Sequence, residues 1–214
     1  MNQRRPVVVV LAAGRGQRFR GEGHKLEQVL GTDTVLAHTL RQAMASDLPL
    51  LVVTSSALAP LVRRHVASRD MLVLPDQDRL GRPAPLGMGH SIAAGVAATG
   101  DAPGWLILPA DMPMLRASTL LAVAQALETD PIAYAQYQGR RGHPVGFSAE
   151  LFSELAALQG DEGARRLLAR YPARAIDVDD PGVLVDIDTL EDLRQVQGDP
   201  TQPRPTGTGL RASG

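Results

Sequence analysis

The sequence contains no cysteine. That excludes disulfides, thiolate metal sites, iron–sulfur clusters and a thiol nucleophile. Aromatics are nearly as scarce, with three Tyr, three Phe and one Trp in 214 residues. Base-stacking platforms for single strands need several aromatic faces, so that class is excluded too. Nor does charge of one sign dominate. Lys plus Arg number 22 against 23 Asp plus Glu, a formal net charge of −1, which leaves no global basic field for nucleic acid. No apolar run reaches the roughly 18 residues of a membrane span. The start, with Arg4-Arg5-Pro6 leading into a short valine run, has no small-residue cleavage site and reads as a buried strand. The expectation is a cytoplasmic protein without a nucleic-acid or membrane partner.

What is present alternates between strand and helix patterns. Pro6 to Ala12 (PVVVVLA) is a continuous β-branched run of the kind buried on both faces of a sheet. Leu50–Thr54, Met71–Leu74, Trp105–Leu108, Ile132–Tyr137, Pro144–Phe147 and Ala173–Val178 read as further strands. Thr34 caps a helix with Leu36, Leu40, Ala43 and Met44 on one face. Helices are also expected over 57–67, 91–98, 117–127 (stripe Leu120, Leu121, Ala124, Leu127), 149–158, 162–169 and 189–197. This alternation means βαβ units and a mostly parallel sheet in a single α/β domain over residues 1–197. Residues 198–214 are Pro, Thr, Gly and Ser with almost nothing to bury, and are expected to be disordered.

In open α/β sheets ligands bind beyond the carboxyl ends of the strands, so the strand-end loops are the candidates for chemistry. The first runs from Leu11 to Lys25 and continues irregularly to Asp33, with glycines at 14, 16, 21, 23 and 31. Glycine lets backbone N–H groups approach anionic oxygens, and Arg15, Arg18 and Lys25 add positive charge. It is neither a P-loop nor a dinucleotide fingerprint: no Gly-Lys-Ser/Thr follows, and the glycine spacing is wrong. The second ends the strand WLIL with P-A-D-M-P, where Asp111 either holds Mg²⁺ or caps a turn. The third, D-I-D-T-L-E-D-L from residue 186, offers Asp188 at an expected strand end. There Asp188 or Thr189 serves equally well as a helix cap. Ser91 at a helix start, His143 after Gly142 and Asp161 before Arg165 and Arg166 are weaker signals. For each of them a structural role is the simpler reading.

In this order, the pieces LAAGRGQRF with Lys25, GMGHSIAAGV, PADMP, GRRGHPVGFS, GDEGARRLL and VDIDTLEDL resemble the molybdenum cofactor nucleotidyltransferases, most of all the cytidylyltransferase branch. The resemblance spans Val7 to about Gln197. It implies a Rossmann-like three-layer nucleotidyltransferase fold whose mostly parallel sheet is mixed at its later edge. It implies transfer of a nucleotidyl group, CMP or else GMP, from an NTP to the terminal phosphate of a molybdopterin-type cofactor, with Mg²⁺ and release of pyrophosphate. CTP is favoured, because Ala13 stands where guanylyl-transferring relatives tend to carry glycine, and a molybdoenzyme would receive the product. Carried over, Leu11, Ala12, Ala13, Gly14 and Gly16 meet the nucleotide, with Ser91 beside it. Arg18 and Lys25 hold the triphosphate and act in catalysis with Asp111. Asp111 and Asp188 bind the metal, and His143 and Asp161 face the acceptor. Phe19 in place of Met, Leu190 in place of Pro, and the lack of Pro before Lys25 depart from the family pattern. Two other readings share these features: transfer to a sugar phosphate or phospho-alcohol, and a non-catalytic carrier or chaperone of the cofactor.

Overall fold

Period-two alternation within the first valine run sets the architecture. In the computed structural model, which describes residues 4–198 apart from 15, 17, 78–86 and 162, strand β1 (Val7–Ala12) is an interior strand, third from one edge, of a seven-stranded sheet. Val8, Val10 and Ala12 face one apolar cluster, and Val7 and Val9 face the other. Only a strand covered on both faces has use for six apolar residues in a row.

The remaining strands are the short β2 (Val29–Leu30) and β3 (Asp33–Thr34), then β4 (Leu50–Ser55), β5 (Met71–Leu74), β6 (Gly104–Pro109), β7 (Ile132–Tyr137), β8 (Arg140–Ser148) and β9 (Ala173–Asp177). The large sheet has the order β5-β4-β1-β6-β8-β7-β9. The first four are mutually parallel, β8 is antiparallel to both its neighbours, and β9 is parallel to β7. The sheet is therefore mostly parallel and mixed in its later half, with the reversed strand inside that half. β2 and β3 form a separate small antiparallel hairpin.

The helices are α1 (Val35–Ala45), α2 (Ala59–Val62), α3 (Met88–Ala98), α4 (Ala117–Ala126), α5 (Phe152–Ala156), α6 (Arg165–Arg170) and α7 (Leu190–Gln197). Leu36 and Leu40 of α1, Leu120 and Val123 of α4 and Leu193 of α7 pack on one face of the sheet. Ile92 and Val96 of α3, Leu155 of α5 and Leu167 of α6 pack on the other. This makes three layers. Gly95 lets α3 sit directly on β1, since a Cβ there would lie 2.6 Å from Val9 Cγ1.

Several local expectations shift. Met44 and Leu121 are 45% and 39% exposed, outside the stripes assigned to them. The helix expected over 57–67 is only four residues long, Ala59–Val62, and turns follow it. The expected turn at Gly139–Gly142 is tighter. Gln138 and Gly139 both have positive φ, as a two-residue hairpin loop requires, and Arg140 already pairs with Tyr137 in the ladder. The irregular stretch 13–33 contains a 3₁₀ turn at Lys25–Glu27 and the small hairpin. Asp186–Asp188 is not a strand end but an irregular segment, tied by the bond from Ile187 N to Asp111 O at 2.9 Å. The expectations for the tail beyond 198, for the Gly/Pro-rich loop over 78–86 and for Arg15 fall outside the described residues.

Candidate active site

Strands β1 and β6 are neighbours, so their carboxyl-end loops emerge side by side. The bond from Ala110 N to Leu11 O, 3.1 Å, links the two exits. The β1 loop bears Lys25, the β6 loop bears Asp111, and the segment before α7 bears Asp188. All three side chains meet. Lys25 Nζ donates to Asp111 Oδ2 at 2.5 Å and to Asp188 Oδ1 at 2.7 Å. Each of the three side chains is only about 15% exposed (14%, 14% and 16%). Arg18 reaches the other oxygen of Asp188, Oδ2, at 2.6 Å from an otherwise exposed position.

Local sequence explains why Asp188 is available. Thr189 takes the N-cap of α7 and its side chain accepts from Asp192 N, while the Asp192 carboxylate accepts from Thr189 N and Asp188 N. With capping done by this Thr–Asp box, the Asp188 carboxylate points its charge elsewhere. Similarly, Asp111 does not cap the turn after β6, since its Oδ2 is taken by Lys25.

The electrostatics follow from two carboxylates around one ammonium, with a third carboxylate, Asp186, beside them. Burial works against the charged form of Lys25, but Asp111 and then Asp188 outweigh it and raise the pKa above the ordinary 10.5. Burial likewise pushes Asp188 up, yet its bond to Lys25, the Lys25 charge and Arg18 bring it below the usual carboxylate range. Asp186 is raised by burial and by the negative charges of Asp111 and Asp188, and it shares a hydrogen bond with Asp188. Sequence reasoning gave Asp186 no role of its own. Its two-residue spacing from Asp188 was the available signal.

His143, on β8, faces the same cluster. Burial lowers its pKa below the ordinary 6.5 against the pull of Asp111, and its Nδ1 is buried with no partner among the described residues. Asp161 lies elsewhere, against the start of α3: a Cβ on Gly87 would sit 2.8 Å from its Oδ1. Gly89 N donates to Gly160 O at 2.9 Å, fixing that junction. Ser91 is not at the helix start but a turn inside α3, buried, and its hydroxyl donates to Gly87 O at 3.2 Å. Asp161 and Ser91 thus share one end of α3, while His143 belongs with Asp111.

In the glycine loop, Ala12 and Ala13 are buried and Gly14 is exposed, with open space where a Cβ would stand. Gly16 has φ +60°, and a Cβ there would press on the His24 ring at 3.2 Å. Phe19 and Leu190, two of the departures from the family pattern, both border Gly21, so the two substitutions meet across one contact.

These residues suit a divalent cation. Asp111 Oδ1 is buried without a partner, and Asp188 stands across Lys25 from it. No three acidic or histidine side chains converge into a closed cage among the described residues. Mg²⁺ matches that pattern, since it is held by one or two carboxylates and fills its octahedron with waters and substrate phosphates.

A family model described as the MobA-like NTP transferase domain matches residues 8–175. The chain belongs to the MobA-like NTP transferase family. Its matched span covers the glycine loop, Lys25, Asp111, His143 and Asp161, and stops before Asp188. Among curated members, the purine catabolism protein PucB of Bacillus subtilis (strain 168) is 33% identical over 203 residues, 88% of this chain and 94% of that protein. Among solved structures, Rv0371c of Mycobacterium tuberculosis H37Rv is 29% identical, with a TM-score of 0.77 over 92% of this chain and 100% of that one. A structure of Rv0371c in complex with manganese is similar as well, at 28% identity and a TM-score of 0.73, covering 91% of this chain and 99% of that one. Molybdopterin-guanine dinucleotide biosynthesis protein A of Archaeoglobus fulgidus shares the fold, with a TM-score of 0.65 at 18% identity over 90% of this chain and 97% of that one. For a nucleotidyltransferase of this family, the strand-end position of the Lys25 cluster is where a nucleotide would be expected.

Proposed function

We propose that this nucleotidyltransferase moves a CMP group from CTP to the terminal phosphate of a molybdopterin-type cofactor, with Mg²⁺, releasing pyrophosphate. The observation that carries the reading is the convergence of Lys25, Asp111 and Asp188 at the carboxyl ends of β1 and β6. A carrier that only bound its cargo would have no use for two carboxylates kept around a buried ammonium.

The acceptor is a phosphate monoester, mostly dianionic near pH 7 because its second pKa is about 6. One of its oxygens attacks the α-phosphorus in line, the bond from that phosphorus to the β-bridging oxygen breaks, and pyrophosphate departs with the electron pair. No general base is needed, which leaves His143 outside proton transfer. The chain supplies alignment and charge. Backbone at Leu11, Ala12, Ala13, Gly14 and Gly16 lies against the nucleoside, with Ser91 alongside. Lys25 and Arg18 hold the triphosphate oxygens and offset charge developing on the leaving group. Asp111 and Asp188 would hold the metal, which would supply Lewis-acid polarisation of the α-phosphate. His143, beside Asp111, and Asp161, at the start of α3, bind the acceptor from two sides.

The test is pyrophosphate release with each of the four NTPs, with and without metal-loaded pterin cofactor. The reading requires release with CTP that depends on the cofactor. Release supported by a sugar phosphate or phospho-alcohol instead would reassign the acceptor.

A further inference from the structure

His24 precedes Lys25 and belongs to none of the motifs that mark the family. Its ring makes two bonds in opposite directions. Nδ1 accepts from Leu26 N at 3.1 Å, and Nε2 lies 2.8 Å from the carbonyl oxygen of Gly14. A carbonyl only accepts, so Nε2 carries the proton. Nδ1 receives an N–H, so it carries none. The imidazole is therefore neutral, in the Nε2–H tautomer. Its backbone is held as well: His24 N donates to Glu27 Oε2 at 3.1 Å, and Gln28 Nε2 donates to His24 O at 3.2 Å. Gly16 folds over the same ring with φ +60°.

We propose that His24 is a positioning residue for nucleotidyl transfer: its imidazole bridges the Gly14 carbonyl of the nucleoside-facing loop to the turn that carries Lys25. Gly14 and His24 are ten positions apart, and seven of residues 14–23 are glycine or arginine with little to bury. The bridge closes that length into a loop of fixed mouth. It thereby sets the distance between the backbone facing the base and ribose and the ammonium facing the triphosphate. The inference rests on the nucleotidyl-transfer reading for its consequence, though the bridge itself exists without nucleotide.

Two near-isosteres separate the two bonds. In His24→Asn the side-chain oxygen can still accept from Leu26 N but cannot reach Gly14. In His24→Gln the amide nitrogen can still reach Gly14 O, while the Leu26 acceptor is lost. If the bridge positions Lys25, His24→Asn and His24→Ala should both lose kcat/KM for CTP by about ten- to a hundredfold, the range expected for a misplacement near 1 Å. His24→Gln should recover to within a few fold of the unmodified enzyme, even if its melting temperature is the lower of the two. The opposite ranking, with Asn active and Gln inactive, or activity that simply follows melting temperature through all three, overturns the proposal and leaves His24 a turn cap. Amide hydrogen exchange over residues 13–28 in nucleotide-free protein gives an independent readout. Faster exchange in Asn and Ala but not in Gln supports the bridge, and equal exchange in all three removes it. If none of the four NTPs supports pyrophosphate release by the unmodified protein, the transfer reading fails while the exchange pattern still decides the role of His24.

Discussion

Ala13 and Gly14 lie side by side after β1, one buried and one facing open space. If the base lies against this loop as proposed, the Ala13 methyl group takes room that a purine's second ring needs, whereas a pyrimidine leaves it free. The Ala13→Gly variant should therefore gain kcat/KM with GTP relative to CTP, since a site that hydrogen-bonds a base edge discriminates strongly once the ring is seated. No change in the ratio would show that Ala13 does not read the base. Lys25 carries a second consequence. Its ammonium sits between the carboxylates that would hold the metal, so a cation entering without nucleotide has to displace it. We expect Lys25→Met to bind Mn²⁺ more tightly than the unmodified protein in the absence of nucleotide, by calorimetry or electron paramagnetic resonance, while losing turnover. Asp111→Asn should lose both metal affinity and turnover with its melting temperature retained. Unchanged activity at subsaturating Mg²⁺ would take Asp111 out of the site. His143 gives a pH dependence. Its pKa is lowered in the folded state, chiefly by burial. Its contribution to stability is then complete above the unfolded value near 6.5 and is lost as pH falls towards the folded value. A His143→Gln variant should show a flatter stability profile just below that pH, measured by denaturant unfolding.

At the scale of elements, the segment between β9 and α7 does the placing of Asp186 and Asp188. Asp180, only 2% exposed, accepts from Arg116 N, Thr119 Oγ1 and Gly182 N. The 3₁₀ turn Pro181–Leu184 that follows is pressed against its neighbours. A Cβ on Gly182 would collide with the Met114 carbonyl, and one on Gly142 of β8 with the Val183 carbonyl. Gly182→Ala should therefore cost about 1–3 kcal/mol, as overpacking does, and should also lower turnover by shifting the segment that ends in Asp188. A shift in the urea midpoint with kcat untouched would mean that this turn supports the fold without aiming the carboxylate. The glycine needs of Gly142 and Gly182 were not legible in the chain. Neither sits in a positive-φ turn, and the crowding comes from residues far away in sequence.

Across the whole molecule, both apolar clusters share one sheet, and the site lies where loops from its central strands meet. Ligand binding at that place should stabilise the entire domain by mass action. Mg²⁺ with CTP at about 100 times its dissociation constant contributes about 2.7 kcal/mol, which for a chain of this size raises the melting temperature by about 5–11 °C. Mg²⁺ alone should do much less, because Lys25 already neutralises the carboxylates. A rise with Mg²⁺ alone equal to that with Mg²⁺ and CTP would contradict the displacement argument. No helix among the described residues is long and apolar enough to cross a membrane.

Much of this was written in local pattern. The valine run dictated an interior strand because only burial on both faces accommodates it, and the order of short motifs was enough to name the family. Lys25, Asp111 and Asp188 could be singled out because each follows a strand or precedes a helix. Their meeting could not be read, since 86 and 163 residues separate Lys25 from its two partners, and periodicity carries no information over such distances. The sheet order decided it, by setting β6 beside β1 and returning the last segment across both. The same holds for the choice between cap and ligand at Asp188. Thr189 and Asp192 were both visible, but only the folded backbone shows that Thr189 caps the helix and leaves the carboxylate of Asp188 to Lys25 and Arg18. His24 was hidden for a related reason: a histidine in a glycine-rich loop looks solvated until the chain doubles back and puts the Gly14 carbonyl within reach of its ring.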